Sequence, residues 1–300
     1  MSYMIKTVAA ATVISVSISG AVLAADFNEK FEGVKPAVSG FNGKLDLGYT
    51  YLDLGGANPH FNSVTGIGSI SAPLGQSFGV QFDAGLGRLS TSGASANAAG
   101  IGSHLFWRNP DTGLIGAYGH YVRLSGGGAS LNTVRLGAEA EAYIDQISLE
   151  GFVGADITRF SAGGHKSTAS LDFTAAYYFT DNFRAQAGIS HSFDKTLGKL
   201  GMEAMLPLAA NNVALYADGA FGSHITKIST GVRIYFGESG KSLKARHRED
   251  DPKARLFDLY AISGLAPAAG VTPPPPPPGG CETGFHLVEG CGCLPDVAPE

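Results

Sequence analysis

Charge is scarce in this chain of 300 residues: Asp, Glu, Lys and Arg make up 16% of it, and the formal net charge is -5. No basic stripe crosses its body, which argues against nucleic acid as a partner. Cysteine is absent until Cys281, and Cys281, Cys291 and Cys293 are all the chain has. Beyond residue 25 no apolar run reaches the roughly eighteen residues that a helical membrane span needs. Catalytic signatures are lacking too. There is no nucleophile elbow, His-Glu-x-x-His helix or phosphate loop, and Gly126-Gly127-Gly128 has no strand–helix setting for phosphate. Ser190-His191-Ser192 holds two reactive residue types, but neighbours on one strand point to opposite faces. No enzymatic activity, metal or cofactor is expected.

What is present is glycine, at 42 residues, and aromatic side chains at 10%. Much glycine, alanine and serine with little charge suits closely packed strands with an apolar outer surface. The N-terminus has the layout of an export signal: Lys6, an apolar core over Thr7–Leu23, and Val22-Leu23-Ala24 as a small-residue cleavage site, cut after Ala24 or Ala25. Residues 1–25 are therefore expected to be a signal peptide, with an uncleaved anchor as the alternative, and 26–41 a short periplasmic lead-in. No cysteine stands at the cleavage point to make a lipoprotein.

From Asn42 onward the sequence alternates. Leu45, Leu47, Tyr49 and Tyr51 fall on one face and Lys44, Asp46, Gly48 and Thr50 on the other, since successive strand side chains point to opposite sides. Phe78–Leu86, Val134–Ala142, Leu171–Phe179, Phe183–Ile189, Val213–Phe221 and Lys227–Phe236 repeat the pattern, and five weaker segments of similar length bring the count to about twelve. Short turns such as Asn109–Asp111, Ile144–Gln146 and Thr180–Asn182 alternate with longer links, among them Leu89–Ala96 and Leu124–Asn132. That asymmetry is expected between the two ends of a membrane barrel, and Phe106, Trp107, Tyr143, Tyr178, Phe179, Phe183, Tyr235 and Phe236 are placed for an interfacial girdle. The expectation is an all-β fold: a closed antiparallel transmembrane β-barrel over 42–237. A soluble lipocalin-like or sandwich protein would place the apolar face inside, but the alanine- and glycine-rich apolar face is thin for a soluble core.

Ser229, Gly231, Ile234 and Phe236 match the closing-strand assembly signal of bacterial outer-membrane barrels position by position. The phrases Leu105-Phe106-Trp107-Arg108-Asn109-Pro110, Ile147-Ser148-Leu149-Glu150-Gly151 and His247-Arg248-Glu249-Asp250-Asp251-Pro252 resemble porin-like outer-membrane proteins of alphaproteobacteria, over roughly residues 42–252. The resemblance implies an outer-membrane location, with outer-membrane lipid and the barrel-assembly machinery as partners, the latter reading an internal signal here. The inward charged residues are the pore-lining candidates: Lys44, Asp46, Asp83, Arg135, Glu139, Glu141, Asp172, Arg184, Lys199, Glu203, Asp218, Lys227 and Arg233. If they segregate by sign, the lumen carries a transverse field and forms a weakly selective passive pore. If they pair, the lumen is plugged and the barrel is structural or serves surface interaction.

After the barrel, 238–266 is charge-dense and then weakly amphipathic, with Leu256, Leu259, Tyr260 and Ile262 at near-helical spacing. It is expected to be a solvated periplasmic exit segment followed by a short helix that plugs the mouth or packs on the rim, with peptidoglycan or a periplasmic protein as its contact. Residues 267–280 form a Pro-rich linker around the run Pro273–Pro278, extended and semi-rigid. Residues 281–300 suggest a hairpin in which Cys281 pairs with Cys291 or Cys293 and leaves one thiol over.

Overall fold

A computed structural model describes residues 35–55, 60–208, 211–258, 285–288 and 292–295. The expected signal peptide, the first part of the lead-in, the Pro-rich linker, Cys281 and Cys291 lie outside these residues.

Twelve antiparallel strands close on themselves. In chain order they are β1 (Asn42–Asp53), β2 (Phe61–Leu74), β3 (Phe78–Thr91), β4 (Ala94–Asn109), β5 (Gly113–Gly126) and β6 (Ala129–Ile144), then β7 (Ile147–Phe160), β8 (His165–Thr180), β9 (Phe183–Ser192), β10 (Lys195–Met205), β11 (Val213–Gly222) and β12 (Ile225–Phe236). Each strand pairs with its sequence neighbour, and β1 closes the ring on β12 from Gly43↔Phe236 to Asp53↔Thr226. Closure leaves no unpaired ladder edge, which hydrocarbon would not tolerate. At the seam Gly48 lies opposite Gly231, and the Tyr216 hydroxyl rests where a Cβ on either glycine would stand. Gly231, expected to belong to an assembly signal, is thus a packing requirement at the seam.

The faces are distributed in the opposite sense to a soluble barrel. Outward side chains are large, apolar and exposed, as at Phe82, Leu86, Ile101, Ile115 and Leu136, all more than half exposed. Inward positions bury Asp83, His104, Arg135, Glu139, Asp156 and Glu203 to 4% exposure or less. A continuous apolar exterior over a charged interior is stable only where the surroundings are lipid. No described helix is long and apolar enough to span a membrane.

Two expectations are corrected. The links Leu89–Ala96 and Leu124–Asn132 are not long loops: the ladders run on to Thr91↔Ala94 and Gly126↔Ala129. Gly127 (φ 59°) and Gly128 (φ 79°) make the two-residue turn that a twisted hairpin prefers. The β3–β4 and β5–β6 hairpins are therefore tight, and the polar Gly/Ser composition there belongs to strand ends. The girdle also splits by alternation. Trp107, Phe179, Phe183 and Phe236 face outward, but Phe106, Tyr143, Tyr178 and Tyr235 are buried inside the mouth.

Those inner aromatics receive the segments flanking the barrel. Val38 packs on Phe106 and Leu114, and Ser39 N–H donates to the Glu249 carbonyl at 2.8 Å. After β12 the chain forms α1 (Leu243–Glu249), whose N-cap Ser242 Oγ accepts from Ala245 N–H and whose last turn carries Arg246, His247 and Arg248, favourable at the negative helix end. Leu243 is fully buried against Met205, Ala214 and Tyr235, and Lys244 pairs with Asp181 at 2.6 Å. The expected solvated exit segment is instead docked on the barrel, because its charges match partners on the short-turn rim. A separate hairpin pairs β13 (Phe285–Val288) with β14 (Gly292–Pro295), which contains Cys293.

Candidate functional site

The barrel interior is organised as an ionic lattice with the C-terminal segment threaded through it. On the β8–β12 wall Arg184 contacts Glu150 at 3.0 Å and Glu203 at 3.2 Å. Arg233 reaches Glu203 at 2.8 Å and forks onto both oxygens of Asp46. Tyr235 donates to Glu203 at 2.9 Å, while Lys199 holds Asp172 and donates to Thr174 at 2.9 Å. Forked and charge-assisted bonds of this kind fix geometry as well as adding energy.

The opposite wall is more deeply buried. His104 sits between Glu139 (2.8 Å from Nδ1) and Asp83 (3.1 Å from Nε2), two acceptor-only groups that suit a doubly protonated ring. Gln81 donates to Asp83 at 2.8 Å, and the Tyr118 hydroxyl lies 2.8 Å from His120 Nδ1. Arg135 forks onto Asp156 at 2.6 and 2.9 Å, with Ser192 completing the group.

Between the walls runs 250–258, which is extended and then turned; of the short helix expected over 253–265, the part from 259 onward lies outside the described residues. It enters at the short-turn end, where Ser71 donates to the Asp250 carbonyl at 3.1 Å and Lys44 pairs with Asp251 and donates to the Pro252 carbonyl at 2.7 Å. Arg255 then reaches Asp172 at 3.2 Å and Glu139 at 3.9 Å. Leu256 and Phe257 complete an apolar cluster with Leu89, Ala98 and Val122. A charged segment is accommodated here because the wall pairs Asp251 with Lys44 and Arg255 with Asp172 and Glu139, while Lys241 takes Asp250 at the rim. Asp258, at its end, has the compensating charges of Lys253 and Lys227 around it. At the rim, burial pushes His247 of α1 down to about 4, so it is neutral at pH 7, with Tyr178 and Tyr235 hydroxyls 2.9 and 3.0 Å from its two ring nitrogens.

A cavity of about 190 Å³ remains between the segment and the β8–β12 wall, bordered by Lys199, Tyr216, Asp218, Lys227, Lys253 and Asp258. All thirteen inward candidates face the lumen side of their strands. Asp46, Arg135, Asp172, Lys199, Asp218, Lys227 and Arg233 border the cavity. Lys44, Asp83, Glu139, Arg184 and Glu203 are held in ion pairs elsewhere, and Glu141 accepts from the Tyr143 hydroxyl at 2.6 Å. Acids and bases mostly pair, as expected of a plugged lumen, and the cavity is the space those pairs leave open, with Asp218 and Lys227 on its border and in none of the ion pairs above. Of the residues expected to form an assembly signal, Ser229 bonds Thr50 across the seam at 2.8 Å, and Ile234 and Phe236 share the outward parity of β12. His191 bonds Thr196 on the outer face, whereas Ser190 and Ser192 border the cavity. Missed from the sequence were His104, His120 and Asp156, whose inward parity on β4, β5 and β7 was available, and Arg255, for which no sequence signal existed. Among the described residues no cluster of three or more His, Cys, Asp or Glu side chains is arranged to hold a metal.

No protein-family model matches the chain, and no curated protein sequence matches it. Among solved structures it is similar to the translocator domain of the autotransporter NalP from Neisseria meningitidis, with a TM-score of 0.51 and 15% identity, over 66% of this chain and 88% of that one. It is also similar to an outer membrane channel from Pseudomonas putida F1, with a TM-score of 0.50 and 13% identity, over 69% of this chain and 98% of that one. At these identities the likeness is one of fold, that of an outer-membrane β-barrel.

Proposed function

We propose that this chain is an outer-membrane barrel whose lumen is a narrow passive channel for small polar solutes, reduced by its own C-terminal segment to the space along β8–β12. The observation that carries this reading is the cavity of about 190 Å³, bordered by both signs of charge (Lys199, Lys227 and Asp218 among them). Neighbouring cations and anions there would give weak selectivity, since no one sign of charge lines the path. Export by the N-terminal signal and insertion through the motif ending at Phe236 belong to the same reading, and the alphaproteobacterial affinity rests on the three phrases that suggested it.

Planar-bilayer recording of the purified, refolded full chain tests it. Small, steady conductance steps with little preference for either ion sign are expected, and Arg255→Ala, which unties the segment from Asp172 and Glu139, should enlarge them. Silence from both proteins, with folding shown by heat-modifiable gel mobility, would sink the channel. The second reading, a plugged structural barrel, would then stand, favoured by the grip of Lys44 and Arg255 on the segment.

A further inference from the structure

We infer that the lumen serves as a conduit for the chain's own C-terminus, so that the Pro-rich linker and the cysteine hairpin are presented at the barrel face opposite α1, which is the cell exterior. The exterior assignment rests on the outer-membrane reading above, in which strand number is even and both barrel termini lie at the periplasmic rim.

The direction of travel is written in the contacts. Asp250 and Asp251 sit at the α1 rim, tied to Ser71 near the end of β2 and Lys44 near the start of β1. Arg255 is level with Asp172 and Glu139, both near the middle of their strands. Leu256 and Phe257 pack against Leu89, Ala98 and Val122, each close to the turn that faces away from α1. Asp258 borders the same cavity as Lys195 and Lys227, which open β10 and nearly open β12 at that far end. Six residues of chain from Asp250 rise at most roughly 20 Å, most of an apolar band about 25 Å tall. Forward, the distance left to the far mouth is short. Backward, the way is filled by α1, by Val38 on Phe106, and by the Lys44–Asp251 pair.

The sequence beyond Asp258 suits emergence. The run Pro273–Pro278 has the composition of a semi-rigid, extended spacer, the kind of linker that would hold a hairpin off a rim. Among the described residues the hairpin β13–β14 is a two-stranded sheet of its own, so it needs no barrel edge. The function added is display: a barrel that anchors and presents a small cysteine-containing hairpin outside the cell.

The test uses the full chain in a Gram-negative host, with one epitope per protein at Gly93 in the β3–β4 turn, at Gly75 in the β2–β3 turn, or at the C-terminus. Antibody binding is compared on intact and permeabilised cells. The expected result is that the C-terminal epitope behaves like that at Gly93, both accessible on intact cells, with Gly75 hidden. A C-terminal epitope that behaves like Gly75 overturns the threaded path, whichever face proves external. A hidden Gly93 with an accessible Gly75 overturns the orientation instead. In the untagged chain, mild reduction followed by a membrane-impermeant maleimide should label the thiols on intact cells as fully as in lysates. Labelling confined to lysates would refute display.

Discussion

Arg184 shows what a single side chain does inside this barrel. It is 5% exposed and bridges Glu150 on β7 to Glu203 on β10, two carboxylates that would otherwise repel across β8 and β9. Removing one member of a buried ionic group leaves its partners desolvated and unpaired, at a cost of about 3–5 kcal/mol. Arg184→Met should therefore lower stability by that order in urea titrations followed through Trp107, the single tryptophan, which faces outward. Asp194→Asn is the control. Asp194 lies in the β9–β10 turn and pairs with Lys166 at 2.7 Å, but both groups are exposed and solvent screens them, so no measurable change is expected. Residues of this kind were unevenly legible in the sequence. Arg184 stood out as a charge in an alternating strand, while His104 and His120 did not, because a lone histidine carries no period. Its meaning comes from Asp83 and Glu139, which register alone places beside it.

At the scale of elements, the strands were readable and their ends were not. Alternation in Lys44–Tyr51 or Lys227–Phe236 encodes which side faces lipid, and that signal survives without knowledge of neighbours. Where a strand stops depends on whether the adjacent one continues to pair, and Ser, Gly and Asn near 89–97 and 124–132 suggested loops where pairing persists. The α1 helix was missed for another reason: seven residues are too few to form a stable helix alone, and it exists because Leu243 and Arg246 bury themselves on the rim. Its docking carries a pH dependence. Undocked, His247 ionises near 6.5; docked, burial depresses it to about 4, with Arg184 and Arg233 opposing and Glu203 favouring the charged form. A depressed docked value means that docking is fully favoured above about 6.5 and weakens as pH falls from there to about 4, by an amount on the order of 3 kcal/mol. Asp250, raised by its burial, works in the opposite direction over the acidic end of that window. Hydrogen-exchange protection of the α1 amides, corrected for intrinsic rates, should drop between pH 6.5 and 4. In His247→Gln, which keeps a hydrogen-bonding side chain but does not titrate, protection should change much less over the same range.

For the whole molecule the question is which solvent the exterior was selected for. Ile101 stands near the middle of β4, 64% exposed, beside the similarly outward Ala84 of β3. On a soluble protein an exposed isoleucine tolerates arginine with almost no change in stability. At the midplane of a bilayer the same change costs about 2–4 kcal/mol and falls towards zero near the interfaces. Ile101→Arg should therefore destabilise the barrel by that order in phospholipid vesicles, whereas Phe221→Arg, outward at the rim of β11, should cost much less. Equal, small effects at both positions would refute the lipid-facing belt. A graded penalty that tracks height along the strands would instead locate the hydrocarbon slab on the barrel, and with it the level of Arg255. If that level coincides with Ile101, the guanidinium is held at membrane mid-depth by Asp172 and Glu139, with the Phe152 ring beside it, and the lattice inside the barrel takes the place that bulk water fills in a wider pore.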